Sequence, residues 1–157
     1  KYLKSSGGIF RDMTIHDFDM VRFYLDNDEI KEIFATASNI SSKKFNDIKD
    51  YELATCVLKS TTGVICTINN SRHYKYGYDQ RIEVFGSKGC LISENKKKYN
   101  FFIDRYKTAY KLQLQDLVNL ANKNKKPRAS FIDGEKALLL ANAAYKSLSS
   151  KKVIKIR

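Results

Sequence analysis

The spacing of apolar side chains changes along this chain, and each change predicts a change of element. In residues 9 to about 25, Met13, Phe18, Val21 and Leu25 recur close to helical spacing, with Asp12, His16 and Asp19 on the other face. Gly7-Gly8 frees the backbone for a sharp start to this helix, and the Asp26-Asn27-Asp28 run is a turn that ends it. From Ile30 the period becomes two. IKEIFATAS (30–38), YELATCVLKS (51–60) and GVICTINNS (63–71) alternate as half-buried strands do, with a tight turn at residues 60–63 between the last two. QRIEVFGS (80–87) and CLISE (90–94) predict a second hairpin across Ser87-Lys88, between Gly86 and Gly89. NKKKYNFFI (95–103) predicts one more strand.

Helical spacing then returns. Asp104 is placed to cap a helix whose stripe is Tyr106, Tyr110, Leu114, Leu117 and Ala121, and NKNKKP (122–127) stops it. Asp133 is placed to cap the last helix, KALLLANAAYKSL (136–148), whose apolar content predicts burial on more than one side. VIKI (153–156) closes the chain as a short strand. One helix, a run of strands joined as antiparallel neighbours, then two helices predict an α+β fold: an open, mainly antiparallel sheet with helices on one face. The uncovered face would be partly apolar, and Ile33, Ala35, Val57, Ile65 and Val84 lie in the strands expected to supply it. A surface of that kind is usually buried in a partner, so a homo-oligomer is expected.

Composition sharpens this picture in three ways. The 157 residues suit a single domain, and 43% apolar with 12% aromatic content marks a globular chain. No run approaches the roughly 18 apolar residues of a membrane span, so no membrane association is expected. Lys1 is the first residue, and KYLKSSGG lacks the features of a signal peptide, so the chain is expected to be part of a longer protein. The charge of +12 raises nucleic acid as a partner. The lysines are scattered, however, and neither a ribonucleoprotein motif nor finger spacing accompanies them, so nucleic acid is not the expected partner. Cys56, Cys66 and Cys90 are odd in number and two lie in apolar strands, which points to a reducing, cytoplasmic compartment.

Two stretches carry candidate chemistry. Asp12 and His16 stand four apart on a predicted helix, one above the other, which sets a base beside a carboxylate that can orient it. The plain alternative is an acid favoured at a helix start and a structural histidine. A metal site from His16 with Asp12 or Asp19 has suitable ligand types. Only one other histidine, His73, exists, and no HExxH or cysteine pair supports the site, so no metal is expected. The second stretch, NNSRHYKYGYDQR (69–81), reads either as a loop between strands or as a dense set of donors and acceptors suited to a polyhydroxylated ligand.

GGIFRDMTIHDFDMVRFYL (7–25), YGYDQRIEVFGSKG (76–89), FIDRYKTAYKLQLQDLVNLA (102–121) and SFIDGEKALLLANAAYKSL (130–148) together resemble the glucose-fructose oxidoreductase and inositol dehydrogenase family. The likeness runs over nearly the whole chain in the same order, and it lies in the carboxyl-terminal domain. It implies that residues 1–157 are the substrate-binding and oligomerisation domain of a two-domain NAD-dependent oxidoreductase, with a dihydrodipicolinate reductase-like fold. The amino-terminal Rossmann domain would be absent from this chain. The implied reaction oxidises a secondary hydroxyl of myo-inositol or a related cyclic polyol or sugar to a ketone. His16 matches the family's general base, Asp12 the carboxylate supporting it, and Tyr76 and Tyr78 of YGYD, with Asp79, the lining of the polyol site.

The chain departs from the family pattern in what it lacks. No strand followed by GxGxxG occurs, and the family's active-site lysine belongs to the nucleotide domain, so NAD would be bound mainly there and no residue here is assigned to it. NISSKKFNDIKD, between Ala37 and Asp50, matches no family motif. Isolated, these residues are expected to be inactive. The alternative is a non-catalytic binding or assembly module that retains the fold without a cofactor site.

Overall fold

Three of the period-two segments and the closing VIKI form an antiparallel sheet with the helices of the same unit on one face, whereas QRIEVFGS and CLISE pair with each other in a separate hairpin. In the computed structural model, residues 2–41, 43–123 and 127–156 are described. The chain divides into two units, Lys1–Arg72 with Ala129–Arg157, and His73–Arg128.

In the first unit, β1 (Ile30–Ser38), β2 (Leu53–Ser60), β3 (Ile65–Ser71) and β6 (Ile154–Lys155) are ordered β3-β2-β1-β6. Register decides which side chains are buried. Ile33 pairs with Leu58 and Ala35 with Cys56, so these four share one face, and all are buried. Phe34 pairs with Val57 on the other face, and both are exposed. The helix from residue 9 forms as a π-helical turn, Phe10–Thr14, that runs directly into α1 (Ile15–Leu25). The last helix, α4 (Phe131–Ser150), packs on β1 through Ala137, Leu140, Ala141 and Ala144, whose small side chains let helix and sheet approach closely. Burial of Ile33, Leu58, Phe10 and Phe18 contributes about 1.5–3 kcal/mol each. Ser147, also fully buried, accepts a hydrogen bond from the Ala35 amide at 3.0 Å and donates to the Lys152 carbonyl at 2.7 Å, tying α4 to β1.

In the second unit, β4 (Ile82–Gly86) and β5 (Gly89–Ser93) form the expected hairpin, followed by α3 (Phe102–Lys123). Of the residues expected on an apolar open face, Val57 and Ile65 lie there, whereas register turns Ile33 and Ala35 toward α4 and Val84 belongs to this separate hairpin.

Several local expectations are corrected. NKKKYNFFI is not a strand. Its lysine run offers no alternation, and only an isolated bridge between Tyr78 and Tyr99 forms before α3 begins. Asp104 lies inside the first turn of α3, where the helix dipole favours an acid, rather than at its cap. Ser130, not Asp133, caps α4. Asp133 sits three residues on and accepts from the Ser130 amide and hydroxyl, both at 2.8 Å, in a capping box that holds its carboxyl below the usual range. The unmatched stretch before Asp50 contains a short helix, α2 (Lys43–Asp47). Residues 124–126 of the NKNKKP stop lie outside the described residues.

Candidate functional site

The first candidate stretch is built around the start of the π turn. Gly8 adopts φ +81°, and its carbonyl accepts the Asp12 amide at 2.9 Å, which opens the helical run. The Ile9 amide has no partner within a helix at this position, and the buried Asp50 carboxylate caps it at 2.8 Å. Beside it, the Tyr145 hydroxyl of α4 donates to the Gly7 carbonyl at 3.0 Å, and the Tyr145 ring packs edge-on to Phe10. Burial pushes the Tyr145 hydroxyl above its ordinary pKa.

Arg72 follows β3 directly and joins this start to Asp12. Its amide donates to the Glu52 carbonyl at 2.8 Å and its Nε to the Tyr51 carbonyl at 3.2 Å. Nη1 donates to Asp12 Oδ2 at 2.9 Å and Nη2 to Asp50 Oδ2 at 2.8 Å. The three side chains are 9%, 10% and 3% exposed. The other Asp12 oxygen accepts the Tyr2 hydroxyl, and that bond raises the Tyr2 pKa. One face of the same helical run is fixed to β3: Thr14 Oγ1 donates to Asn70 Oδ1 at 2.6 Å, and Asn70 Nδ2 donates to Asp17 Oδ2 at 2.8 Å.

His16 stands four residues beyond Asp12 on this continuous run, with its side chain exposed. The direct bond expected between the two is not formed. Among the described residues the Asp12 carboxylate is bonded by Arg72 and Tyr2, because a charged guanidinium and a phenol are better placed and stronger donors than a neutral ring N–H. Tyr2, Asp50, Asn70 and Arg72 were not singled out from the sequence. Asn70 and Arg72 lie in the polar stretch at 69–81, and nothing local marks Asp50 or Tyr2.

Tyr76, Tyr78 and Asp79 belong to the second unit. Tyr78 and Asp79 line a cavity of about 240 Å³ with Tyr74, Arg81, Glu94 and Asn95 among its walls. Tyr78 is pinned along its backbone, its amide donating to Tyr99 at 2.7 Å and its carbonyl accepting from Asn95 at 2.8 Å. The Asp79 carboxylate accepts from Arg81 Nε at 2.8 Å. Tyr76 is not part of that lining. Its ring carries the Lys98 ammonium at 4.5 Å and meets Tyr74 edge-on.

Among the described residues no group of three or more His, Cys, Asp or Glu side chains could hold a metal ion. The glycines do not fit a dinucleotide either. Gly86 and Gly89 close an antiparallel hairpin and Gly7-Gly8 follow a short 3-10 turn, so among the described residues neither pair lies in the strand-loop-helix cradle of a pyrophosphate.

A sequence model described as the GFO/IDH/MocA C-terminal domain matches residues 1–92. Myo-inositol 2-dehydrogenase of Thermotoga maritima is 39% identical to the chain, over 99% of it and 51% of that protein. The crystal structure of a myo-inositol dehydrogenase from Corynebacterium glutamicum superposes with a TM-score of 0.94 at 38% identity, covering 99% of this chain and 51% of that one. A myo-inositol dehydrogenase from Lactobacillus casei, solved in complex with NAD(H) and myo-inositol, shares the fold with a TM-score of 0.79 at 22% identity, over 94% of this chain and 48% of that one. The chain spans about half the length of the curated relatives it matches.

Proposed function

The chain belongs to the GFO/IDH/MocA family through its C-terminal domain, and from that premise we propose that it is the substrate-binding and oligomerisation part of an NAD-dependent dehydrogenase acting on a cyclic polyol. The reaction is the oxidation of one secondary hydroxyl of myo-inositol or a close relative to a ketone. One observation carries this reading: an exposed imidazole, His16, follows one turn after a carboxylate, Asp12, that is already fixed by Arg72 and Tyr2.

In this role His16 takes the proton of the reacting hydroxyl, a general-base contribution of about 10²–10⁴ in rate. Asp12 holds a negative charge one turn away, which favours the imidazolium as it forms. NAD, held mainly by the nucleotide-binding domain of the complete protein, supplies the hydride acceptor. Tyr76, Tyr78 and Asp79, in the second unit, carry hydroxyl and carboxylate groups of the kind that bind a polyol. The open sheet face, with exposed Phe34, Val57 and Ile65, serves the pairing of subunits. No helix among the described residues is long and apolar enough to cross a membrane. The three free cysteines accord with a cytoplasmic protein.

The test uses the complete protein with myo-inositol and NAD, following NADH absorbance. His16→Ala is expected to lower kcat by at least about 10²-fold while NAD affinity stays close to wild type. Turnover in that variant like that of wild type removes His16 from the mechanism. A wild-type protein that neither binds NAD nor oxidises any polyol leaves the non-catalytic assembly module as the reading.

A further inference from the structure

Asp50, Arg72 and Asp12 form a closed loop of bonds whose two ends lie on the same helical run. Asp50 Oδ1 holds the Ile9 amide and its Oδ2 holds Arg72; Arg72 holds Asp12, three residues on from Ile9. The guanidinium is held from its other side as well, Nε donating to the Tyr51 carbonyl, while the Arg72 backbone amide donates to the Glu52 carbonyl and anchors the main chain.

Burying two carboxylates and a guanidinium is a poor way merely to seal a helix against a sheet. A buried ion-pair group is often no more stable than apolar side chains of the same volume, and removing one member leaves an uncompensated buried charge. What apolar packing cannot do is hold a carboxylate in one orientation. A planar guanidinium bridging two acids does that, because its N–H directions are fixed.

We propose that Arg72 is a positioning residue: gripped by Asp50, it fixes the Asp12 carboxylate on the helix that carries His16. This role rests on the function proposed above. Arg72 acts through Asp12 and needs no contact with substrate. It also explains why the polar stretch at 69–81 divides between the two units: its first part, Asn70 and Arg72, organises the helix of the acid-base pair, and its tyrosines belong to the second unit.

The test is a double-mutant cycle in the complete enzyme with myo-inositol and NAD, measuring kcat, KM and Tm for Arg72→Lys, Asp12→Asn and the pair. Lysine keeps the charge and loses the fork. Arg72→Lys is expected to lower kcat about 10- to 10²-fold, the scale of a displaced catalytic group, with little change in the KM for polyol. In the Asp12→Asn background the same substitution is expected to cause no further fall, since residues acting as one unit are non-additive. A merely structural Arg72 gives the opposite result: kcat unchanged, or losses that multiply. Should Arg72→Lys fail to fold, Asp50→Asn takes its place, loosening the grip on Arg72 while keeping an acceptor for the Ile9 amide, with the same non-additivity expected. Inactivity of the wild-type enzyme overturns the proposed function itself, whereas an active enzyme with multiplying effects overturns only the positioning role.

Discussion

Substituting Gly8 by alanine tests whether the start of the π turn is built as described. At φ +81° an added Cβ would sit 2.1 Å from the Tyr145 hydroxyl and 3.1 Å from Asp50 Oδ1. The left-handed backbone costs an L-residue about 1–2 kcal/mol. The hydroxyl must also move, and with it goes the hydrogen bond to the Gly7 carbonyl, worth about 1 kcal/mol. Tyr145 has little room to yield, because its ring is packed against Phe10 and half-buried. Together these predict a loss of about 2–3 kcal/mol, or about 4–12 °C in Tm for a chain of this size. Equilibrium urea unfolding followed by circular dichroism measures it. Removing the obstructing oxygen in Gly8→Ala/Tyr145→Phe should recover part of the loss, giving a coupling of about 0.5–1 kcal/mol. A Gly8→Ala protein within about 0.5 kcal/mol of wild type, or strict additivity with Tyr145→Phe, refutes the reasoning.

Two further outcomes follow from the turns. Hydrogen bonds from Ser60 and Thr62 hold the Asp28 carboxyl down to about 2, against an ordinary value of 3.8. A depressed folded-state value means that the ionised form stabilises the fold above pH 4 or so, and that this contribution is lost as pH falls toward 2. Asp28→Asn should therefore be less stable than wild type at pH 7, the Tm difference closing near pH 2; a gap that persists unchanged across that range contradicts it. At Gly77, with φ +104°, an added Cβ would meet the Tyr99 carbonyl oxygen at 2.1 Å, and a backbone atom cannot move aside cheaply. Gly77→Ala should open the Tyr78–Tyr99 bridge, seen as faster hydrogen exchange of the Tyr78 amide, and in the complete enzyme should raise the KM for polyol. Undiminished protection of that amide would show that the loop accommodates a side chain.

The strands of the sheet were legible because alternation is a local property. Ile33, Ala35, Cys56 and Leu58 each occupy the buried parity of their own strand, and the turns at Ser60–Gly63 and Gly86–Gly89 announce themselves by composition. Which parity faces the helices is not local. It is fixed by α4 arriving about a hundred residues later, so Ile33 and Ala35 were open to assignment on either face. The failed strand at 95–103 has a similar origin: Phe101, Phe102 and Ile103 are apolar enough to end a strand or begin a helix, and α3 takes the last two. Asp133 is a good capping residue by type, but Ser130, three residues before it, takes the cap, and the box uses both.

The site divides along the same line. Asp12 and His16 could be read from their spacing because both lie on one helical run, and the exposure of His16 is consistent with a group that meets a ligand. What orients Asp12 could not be read, since Arg72 stands 60 residues away and Asp50 lies in a stretch without a motif. A carboxylate four residues from an imidazole suggests a direct bond, as long as nothing stronger competes for it. In this fold β3 delivers a guanidinium to the same carboxylate, and the charge-assisted bond prevails. In the proposed mechanism Asp12 therefore acts on His16 through its charge and fixed position rather than through a shared proton. If that is so, Asp12→Asn and Arg72→Lys must impair turnover by the same route, which is the non-additivity the double-mutant cycle measures.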